Sequence, residues 1–318
     1  MVILSQIPLI GQYAPFSRTF SFLIAPIFVI ITSIMNQIVL KRQLSENVYM
    51  MKVAAPLIAK ERKAGQFIIL QVDTEYGERV PLTIADADAE AGTVTIIFQT
   101  VGASTMKLAA MNEGDSIPAF VGPLGRPTDI HNVGHVVCVG GGIGVAPMHP
   151  IAQAMKAAGN RVTIIMGARN KDLLIMEEEM RKIADELIIV TDDGSAGRKG
   201  LVTEPLKEVC AKGDVNEAIV IGPPIMMKFC ALTTKEFNVK TVASLNSIMI
   251  DGTGMCGGCR ITVGGETKFV CVDGPEFDAH LVDFDQLMSR LNSFKPEEGD
   301  ARDHVCRSGI FGKGKVEA

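Results

Sequence analysis

The sequence is poor in large aromatic side chains and has no cluster of basic ones. Its 318 residues include no tryptophan and only three tyrosines, which argues against a binding surface built on aromatic rings. No basic run is present, and the formal net charge is -5. Nucleic acids are therefore excluded as partners, because a surface that binds them needs clustered Lys and Arg.

The cysteines are too scattered for a disulfide framework. Seven thiols, an odd number, are spread over a chain long enough for two or three domains. This pattern favours a cytoplasmic protein with reduced thiols and a single metal or cluster site. We interpret Cys138, Cys210 and Cys230 as small apolar core residues.

Long uncharged runs are also rare, and the clearest one lies near the N-terminus. Residues 19–35 carry no charge, and their number, 17, is at the lower edge of what can span a bilayer. The run has three interpretations: a membrane anchor, a signal segment, or sequence upstream of the true start. No small-residue cleavage site, which a signal segment would need, follows the run. We favour a start at Met35, so membrane contact is expected only if residues 1–34 are genuine.

The hydrophobic pattern changes near Gly134. Before it, short runs such as NQIVLKRQL, GQFIILQVD and TVTIIFQTV alternate with turn residues, which predicts a small antiparallel barrel or sandwich. After it, strand-like and helical stretches alternate, which predicts βαβ units in a doubly wound parallel sheet. The predicted organisation is multidomain β plus α/β: an extension at 1–34, a barrel at 35–131, an α/β unit at 132–247, a small cysteine-bearing unit at 248–294 and a charged tail at 295–318.

A glycine-rich loop connects the first strand of the α/β unit to its first helix. In VGGGIGVAP, residues 139–147, few side chains would keep a pyrophosphate from the amides at the helix N-terminus. A tight strand-to-helix turn without any ligand is the alternative. The position of the loop after a buried strand favours the nucleotide site.

Two stretches of the barrel could contact a diphosphate. RVPLT, residues 79–83, offers a cation and a hydroxyl on an extended segment, although the spacing alone favours a surface arginine at a strand end. GAST, residues 102–105, could add amide and hydroxyl donors, or could be the N-cap of the helix that begins before MKLAAM.

The segment DGTGMCGGCRITVGGETKFVC, residues 251–271, has the most specific pattern. Asp251, Cys256, Cys259 and Cys271 follow the spacing of a plant-type 2Fe-2S loop, with aspartate at the first ligand position. Ferric iron, a hard ion, can accept a carboxylate oxygen. There are two alternatives. The first is a zinc site completed by Cys306 or by a distant histidine. The second is a CxxC redox pair.

Together these motifs resemble the ferredoxin-NADP reductase superfamily, in the branch that contains the electron-transfer subunits of dihydroorotate dehydrogenase. The resemblance covers about residues 35–294. The aspartate at position 251 and the string MCGGCRITVGGETKFVCVDGPEFDAHLVDFDQL are similar to the subfamily of small subunits of NADH-dependent reduced ferredoxin:NADP oxidoreductases, also called sulfide dehydrogenase small subunits. The implied fold is an antiparallel FAD-binding β-barrel, a doubly wound nucleotide-binding domain and a small iron-sulfur domain.

The resemblance implies a role for each matching position. FAD would be held by Arg79, Pro81, Leu82 and Thr83, with Gly102, Ser104 and Thr105 on the second phosphate-binding stretch. The pyridine nucleotide would contact Gly140, Gly141, Gly142, Ile143, Gly144 and Pro147, with Gly222 and Pro223 near the nicotinamide. The 2Fe-2S cluster would be held by Asp251, Cys256, Cys259 and Cys271. The superfamily often has cysteine before this Gly-Pro pair, where the chain has Ile221. No side chain is predicted to act as a catalytic acid or base.

The resemblance also implies a heterodimeric, electron-bifurcating complex. Its large flavoprotein and iron-sulfur subunit would be the partner, ferredoxin would act through the complex, and this chain would bind NAD(H) while NADP(H) binds elsewhere in the complex. Arg169 and Lys171 could pair with a 2'-phosphate or be ordinary strand-end charges. The alternatives are electron delivery to dihydroorotate dehydrogenase in pyrimidine biosynthesis, a sulfide or polysulfide dehydrogenase subunit, and a partnerless cluster-binding protein.

Overall fold

The computed structural model describes residues 35–75 and 77–308. The uncharged run before Met35, with its interpretations as anchor, signal or upstream sequence, lies outside the described residues. Among the described helices, none is both long enough and apolar enough to cross a membrane. Two sheets and a cysteine-bearing segment make up the described part, which confirms the predicted fold class.

The first sheet is antiparallel and closes into a barrel. Its strands are β1 (Ile38–Ser45), β2 (Val48–Ala54), β3 (Phe67–Gln71), β4 (Arg79–Asp88), β5 (Thr93–Gln99) and β6 (Ala119–Leu124), in the order β1-β2-β5-β4-β3-β6. Closure comes from backbone hydrogen bonds, in which Ile38 N donates to Asp115 O and Ile117 N donates to Asn36 O. Helices α1 (Pro56–Glu61) and α2 (Ala103–Ala110) lie in the connections.

Strand β4 is longer than the sequence pattern indicated. RVPLT had been interpreted only as an extended segment, whereas it begins a ten-residue strand. Pro81 is tolerated because β4 pairs there with β3 alone, opposite Ile69, and meets β5 only from Ile84 onward. Proline cannot donate a ladder hydrogen bond, so it is confined to positions of this one-sided kind.

The second sheet is parallel except at one edge. Its strands β7 (His135–Gly141), β8 (Arg161–Ala168), β9 (Glu186–Thr191), β10 (Arg198–Lys199), β11 (Glu217–Ile221), β12 (Lys240–Ser244) and β15 (Glu276–Asp278) lie in the order β10-β9-β8-β7-β11-β12-β15, with β15 antiparallel. Helices α3 (Val145–Ala157), α4 (Glu177–Ile183), α5 (Thr203–Cys210) and α6 (Pro224–Lys235) connect them. Strands β7 and β11 are buried throughout, which explains their uninterrupted apolar runs.

The C-terminal third adds small elements to this sheet. These are the hairpin β13 (Arg260–Val263) and β14 (Glu266–Phe269), helices α7 (Val270–Asp273) and α8 (Phe284–Leu291), and α9 (Lys295–Arg307), which lies within the predicted tail. Cys259 and Cys271 share one apolar core with Val137 and Val139 of β7. The unit predicted at 248–294 is therefore packed directly onto the parallel sheet.

Candidate functional site

A cavity of about 680 Å³ brings together the barrel motif and the glycine loop. Pro81, Leu82 and Thr83 of β4 line one part of it. The other predicted residues in its wall are Gly141, Gly142, Ile143, Gly144, Pro147, Gly222 and Pro223. Gly140 does not line the cavity; a Cβ there would lie 2.9 Å from Met148 Cε, so this position faces α3.

Helix α3 holds the two motifs side by side. It follows the glycine loop and packs against β4, where His149 Nδ1 lies 3.4 Å from Ala85 O. The loop at the N-terminus of α3 therefore faces the same space as the side chain of Thr83. This contact explains how residues about 60 positions apart in the sequence form one site.

The glycine loop has the geometry of an anion cradle. Gly142 has φ of +55° and no atom within 4 Å of the position that a Cβ would occupy, so open space lies above the backbone. No side chain caps α3, although Val145 N, its first amide, already donates to Gly142 O and Ile143 O. The residues present therefore fit a pyrophosphate group.

The residues predicted for the flavin phosphates lie outside this cavity. Arg79 pairs with Gln71 through the strand ladder, and its exposed guanidinium makes no ion pair or side-chain hydrogen bond with any other residue that the structure describes. Thr105 Oγ1 accepts hydrogen bonds from the amides of Val101 and Gly102, so the helix-capping interpretation of this stretch is realised. Ser104 Oγ donates to Glu78 Oε2 over 3.1 Å, which holds the start of α2 beside the residue before Arg79.

The four predicted cluster ligands form two pairs. Cys256 Sγ lies 3.4 Å from Asp251 Oδ1, and Cys259 Sγ lies 3.2 Å from Cys271 Sγ. Among the described residues, no group of three or more His, Cys, Asp or Glu is placed to hold one metal ion. Two separate pairs of donors fit a two-iron cluster, in which each iron takes two protein ligands, better than a single tetrahedral zinc.

Hydrogen bonds from the loop favour the ionised form of the Asp251 carboxyl group. It accepts hydrogen bonds from the amides of Thr253, Met255 and Cys256. Desolvation favours the neutral acid, but the hydrogen bonds from Thr253 and Cys256 outweigh it and lower the pKa of Asp251 below its ordinary value. On the other pair, burial and then the neighbouring Cys259 raise the pKa of the Cys271 thiol to about 12.

The cluster loop is packed onto the barrel next to the large cavity. A Cβ on Gly252, where φ is +74°, would lie within 2.8 Å of Ile69 Cδ1 of β3 and Leu124 Cδ1 of β6, so the loop lies directly on both strands. Met249, just before the loop, and Pro275, just after Cys271, line the cavity. The donors therefore lie on a short segment whose two ends both reach the large cavity.

Several residues of the site were not predicted. Asn246, Met249 and Pro275 line the cavity, and their side chains carry no charge or metal-ligand group that would have marked them in the sequence. Of the two basic residues considered for a 2'-phosphate, Arg169 lines the cavity, together with Asp192, and Lys171 does not. Glu276 is half-buried, and its carboxyl accepts a 2.6 Å hydrogen bond from Thr128 Oγ1.

Comparisons with known proteins match two family models to the chain, one over the glycine loop and one over the loop with the cluster donors. A family model described as an oxidoreductase NAD-binding domain matches residues 138–231, and one described as the iron-sulfur cluster binding domain of dihydroorotate dehydrogenase B matches residues 246–283. The barrel, the sheet and the donor loop thus define an oxidoreductase with ferredoxin-reductase architecture.

Two bacterial relatives cover most of the chain. A protein from Thermotoga maritima, named as a homologue of the electron transfer subunit of dihydroorotate dehydrogenase B (NAD(+)), is 47% identical over 264 residues, which is 83% of this chain and 93% of the relative. An uncharacterized protein from Clostridium beijerinckii is 52% identical over 277 residues, covering 84% of this chain and 93% of its own length. The chain belongs to the family of dihydroorotate dehydrogenase B electron-transfer subunits and their homologues.

A solved structure gives the same result. A chain of the NADH-dependent reduced ferredoxin-NADP oxidoreductase, reported in connection with flavin-based electron bifurcation, superposes with a TM-score of 0.81 at 45% identity, over 86% of this chain and 98% of that one. The cytochrome P450 reductase GcoB from Amycolatopsis, at 24% identity and a TM-score of 0.55, shares the fold. The predicted oxidoreductase class and the cofactor classes, flavin, iron-sulfur and nicotinamide nucleotide, are confirmed.

Proposed function

We propose that this chain is the small electron-transfer subunit of an electron-bifurcating ferredoxin:NAD(P) oxidoreductase in the cytoplasm. The observation that carries the proposal is the pairing of Asp251 with Cys256 and of Cys259 with Cys271, on a loop adjoining the cavity shared by β4 and the glycine loop. When bound, FAD exchanges a hydride with a nicotinamide and passes electrons singly to a 2Fe-2S cluster.

The proposed task of the chain's own residues is to bind and orient. Pro81, Leu82 and Thr83 would hold the flavin ring, with Thr83 supplying a hydroxyl in the cavity, and the free guanidinium of Arg79 would neutralise the diphosphate. The open loop at Gly142, before the N-terminus of α3, would hold the pyrophosphate of the pyridine nucleotide. No acid or base is needed, because the cofactors carry the redox chemistry.

We propose NAD(H) as the nucleotide of this chain. Asp192 at the end of β9 lines the cavity beside Arg169, so a 2'-phosphate placed there would meet a carboxylate as well as a cation. A ribose 2'-hydroxyl can donate to that carboxylate without repulsion. The names of the relatives, which mention NAD(+) and NADH, support the same choice.

The proposed partner is a large flavoprotein and iron-sulfur subunit, through which ferredoxin and NADP(H) would react. Two relatives, named as an electron transfer subunit and a homologue of one, support membership of a larger assembly. The second candidate is electron delivery to a dihydroorotate dehydrogenase, favoured by the family match at residues 246–283. A copurified partner that reduces this chain with dihydroorotate, and not with NADPH, would establish the second candidate instead.

The test is anaerobic purification of the full chain, followed by visible and EPR spectroscopy and by analysis of flavin, iron, sulfide and zinc. We expect about one FAD, about two iron and about two sulfide per chain. The variant Asp251→Cys should keep its iron and show an altered EPR spectrum, because a thiolate then replaces an oxygen ligand. Zinc in place of iron, or purification without flavin, would contradict the proposal.

A further inference from the structure

Ser247 has a buried hydroxyl whose partner is not supplied by the described part of the chain. The residue is 6% exposed, and its Oγ makes no hydrogen bond with any residue that the structure describes. An unpaired buried hydroxyl is costly, so a bound partner is expected for it. Ser247 stands four residues before the cluster donor Asp251. Along the chain, the cluster is therefore the nearest group that could be this partner.

The backbone around Ser247 lies against both ends of the segment that carries the cluster donors. Leu245 N donates a hydrogen bond to Pro275 O, four residues after the last donor. Ile248 O lies 3.8 Å from the position that a Cβ on Gly258 would occupy, and Gly258 is inside the CxxC motif. Ser247 therefore lies in space, as well as in sequence, beside the donor segment.

Ser247 belongs to the wall between the large cavity and the cluster donors. Its neighbours Asn246 and Met249 line that cavity, whereas Ser247 does not. Met249 also shares one apolar core with the donors Cys259 and Cys271, so the wall has the cavity on one side and these donors on the other. Because the Ser247 hydroxyl is shut off from the cavity, the cluster side is the one that it can serve.

The donor segment offers its sulfur atoms only weak donors of its own. Gly258 N donates to Cys256 Sγ at 3.4 Å, and Cys271 N donates to Cys259 Sγ at 3.5 Å. A serine hydroxyl is a donor that rotates toward its acceptor. In a buried place, where water does not compete, such a bond is electrostatically stronger than at the surface. Ser247 can therefore add a stronger donor than the two amides.

We propose that Ser247 Oγ donates a hydrogen bond to a sulfur atom of the 2Fe-2S cluster and thereby raises the reduction potential of the cluster. This inference rests on the proposed function, because it requires a cluster on the four donors. Sulfur atoms of a cluster carry more negative charge after reduction, so a hydrogen bond donated to them stabilises the reduced state more than the oxidised one. The Ser247 hydroxyl thus favours residence of the electron on the cluster over the flavin.

The test measures the reduction potentials of cluster and flavin separately. The full chain with its cofactors is titrated anaerobically, the cluster followed by EPR and the flavin by visible absorption. Ser247→Ala removes the hydroxyl and should make one-electron reduction of the cluster about tenfold less favourable, which lowers its potential by about 59 mV. The flavin potential should stay unchanged. Ser247→Thr keeps a hydroxyl and should restore most of the cluster potential.

Ser45→Ala is the matched control. Ser45 Oγ is likewise buried and without a hydrogen-bond partner among the described residues, but Ser45 ends β1 in the barrel. Its replacement should leave the potentials of cluster and flavin unchanged. Ser247→Gly, a second variant without the hydroxyl and without added bulk, should repeat the shift seen in Ser247→Ala, so the result does not depend on one variant.

The proton of the hydrogen bond gives a direct readout. Electron-nuclear double resonance on the reduced cluster, before and after exchange into D2O, should show an exchangeable proton in wild type that is absent in Ser247→Ala. An unchanged cluster potential in both Ser247→Ala and Ser247→Gly would overturn this inference, and a shift of the flavin potential alone would assign the hydroxyl to the flavin instead. A wild type that assembles no iron-sulfur cluster would contradict the proposed function itself.

Discussion

Glu276 is a half-buried residue at the junction of the barrel, the parallel sheet and the cluster segment. Its one described hydrogen bond comes from Thr128, and Ser244 lies opposite it on β12. Burial raises its pKa most strongly, the Thr128 hydrogen bond opposes this, and the nearby charge of Glu217 adds to it, so that the pKa of Glu276 is about 7. Glu217 itself is paired with Lys240 at 3.0 Å.

This environment predicts a pH-dependent stability. The carboxyl binds a proton more tightly in the folded chain than at its ordinary value of 4.5, so its contribution is complete below pH 4.5 and is lost as pH rises to about 7. The free-energy change is roughly 3 kcal/mol. Urea unfolding of Glu276→Gln between pH 4.5 and 8 should lack most of this slope.

Glu178→Gln, at an exposed carboxyl of α4, is the control and should keep the wild-type dependence of unfolding free energy on pH. An identical slope in Glu276→Gln and wild type would show that Glu276 does not titrate in this range.

Single residues differ in how far the sequence predicts them. The donors at 251, 256, 259 and 271 could be found because ligand spacing is a local property of the chain. Glu276 could not, because its burial depends on Thr128, which is 148 residues away in the sequence. Arg79 was predicted from its motif, yet whether it is paired depends on neighbours that no local pattern shows.

Among the structural elements, the junction of β7, the glycine loop and α3 has the tightest packing at the site. Gly144 has an ordinary helical φ of -61°, so its conformation does not require glycine. A Cβ there would lie 2.3 Å from Ile221 O at the end of β11, and this close approach is what requires it. Gly144, the last glycine of the loop, therefore allows β11 and α3 to meet beside the nucleotide site.

We expect Gly144→Ala to separate the end of β11 from α3. The unfolding free energy should fall by about 1–3 kcal/mol, as for other overpacked positions, and NADH should bind more weakly. Gly299→Ala in α9 is the matched control: it meets no atom within 4 Å and should be neutral or slightly stabilising. Urea unfolding and NADH titration of both variants test this expectation. Equal unfolding free energies and equal NADH affinities in the two variants would contradict the steric argument.

Elements with a strong hydrophobic period were predictable, and short ones were not. The buried strands β7, β8 and β11 follow from their apolar runs. Strand β4 was recognised only as extended because Pro81 interrupts its pattern, and β15 is three residues long, too short for any periodicity. Helix α9 contains mostly charged residues, so its place on α2 is decided by tertiary contacts.

At the scale of the whole molecule, the cluster segment has an exposed and a buried part. Cys256 is exposed on its loop, whereas Cys259 and Cys271 lie in the core shared with the parallel sheet. Loss of the cluster should therefore release the loop without unfolding the sheet, because the sheet keeps its own apolar core.

Removal of iron from the purified protein by chelation tests this expectation. Hydrogen exchange should accelerate by about tenfold or more for amides of residues 251–259, while β7 and β11 keep their protection. Barrel peptides from β2 and β5 serve as the internal control. A general loss of protection across both sheets would show that the cluster is required for the whole fold.

Strand β15 joins the end of the cluster segment to the edge of the parallel sheet through main-chain pairing. Its residues pair with Val242, Ala243 and Ser244 of β12, and this pairing requires no metal. An uncovered edge strand would offer its free amides and carbonyls to another chain and invite aggregation. In a newly made chain, the edge of β12 can therefore be covered by β15 before the cluster is inserted. The chain is then protected from edge-to-edge association while it still lacks the cluster.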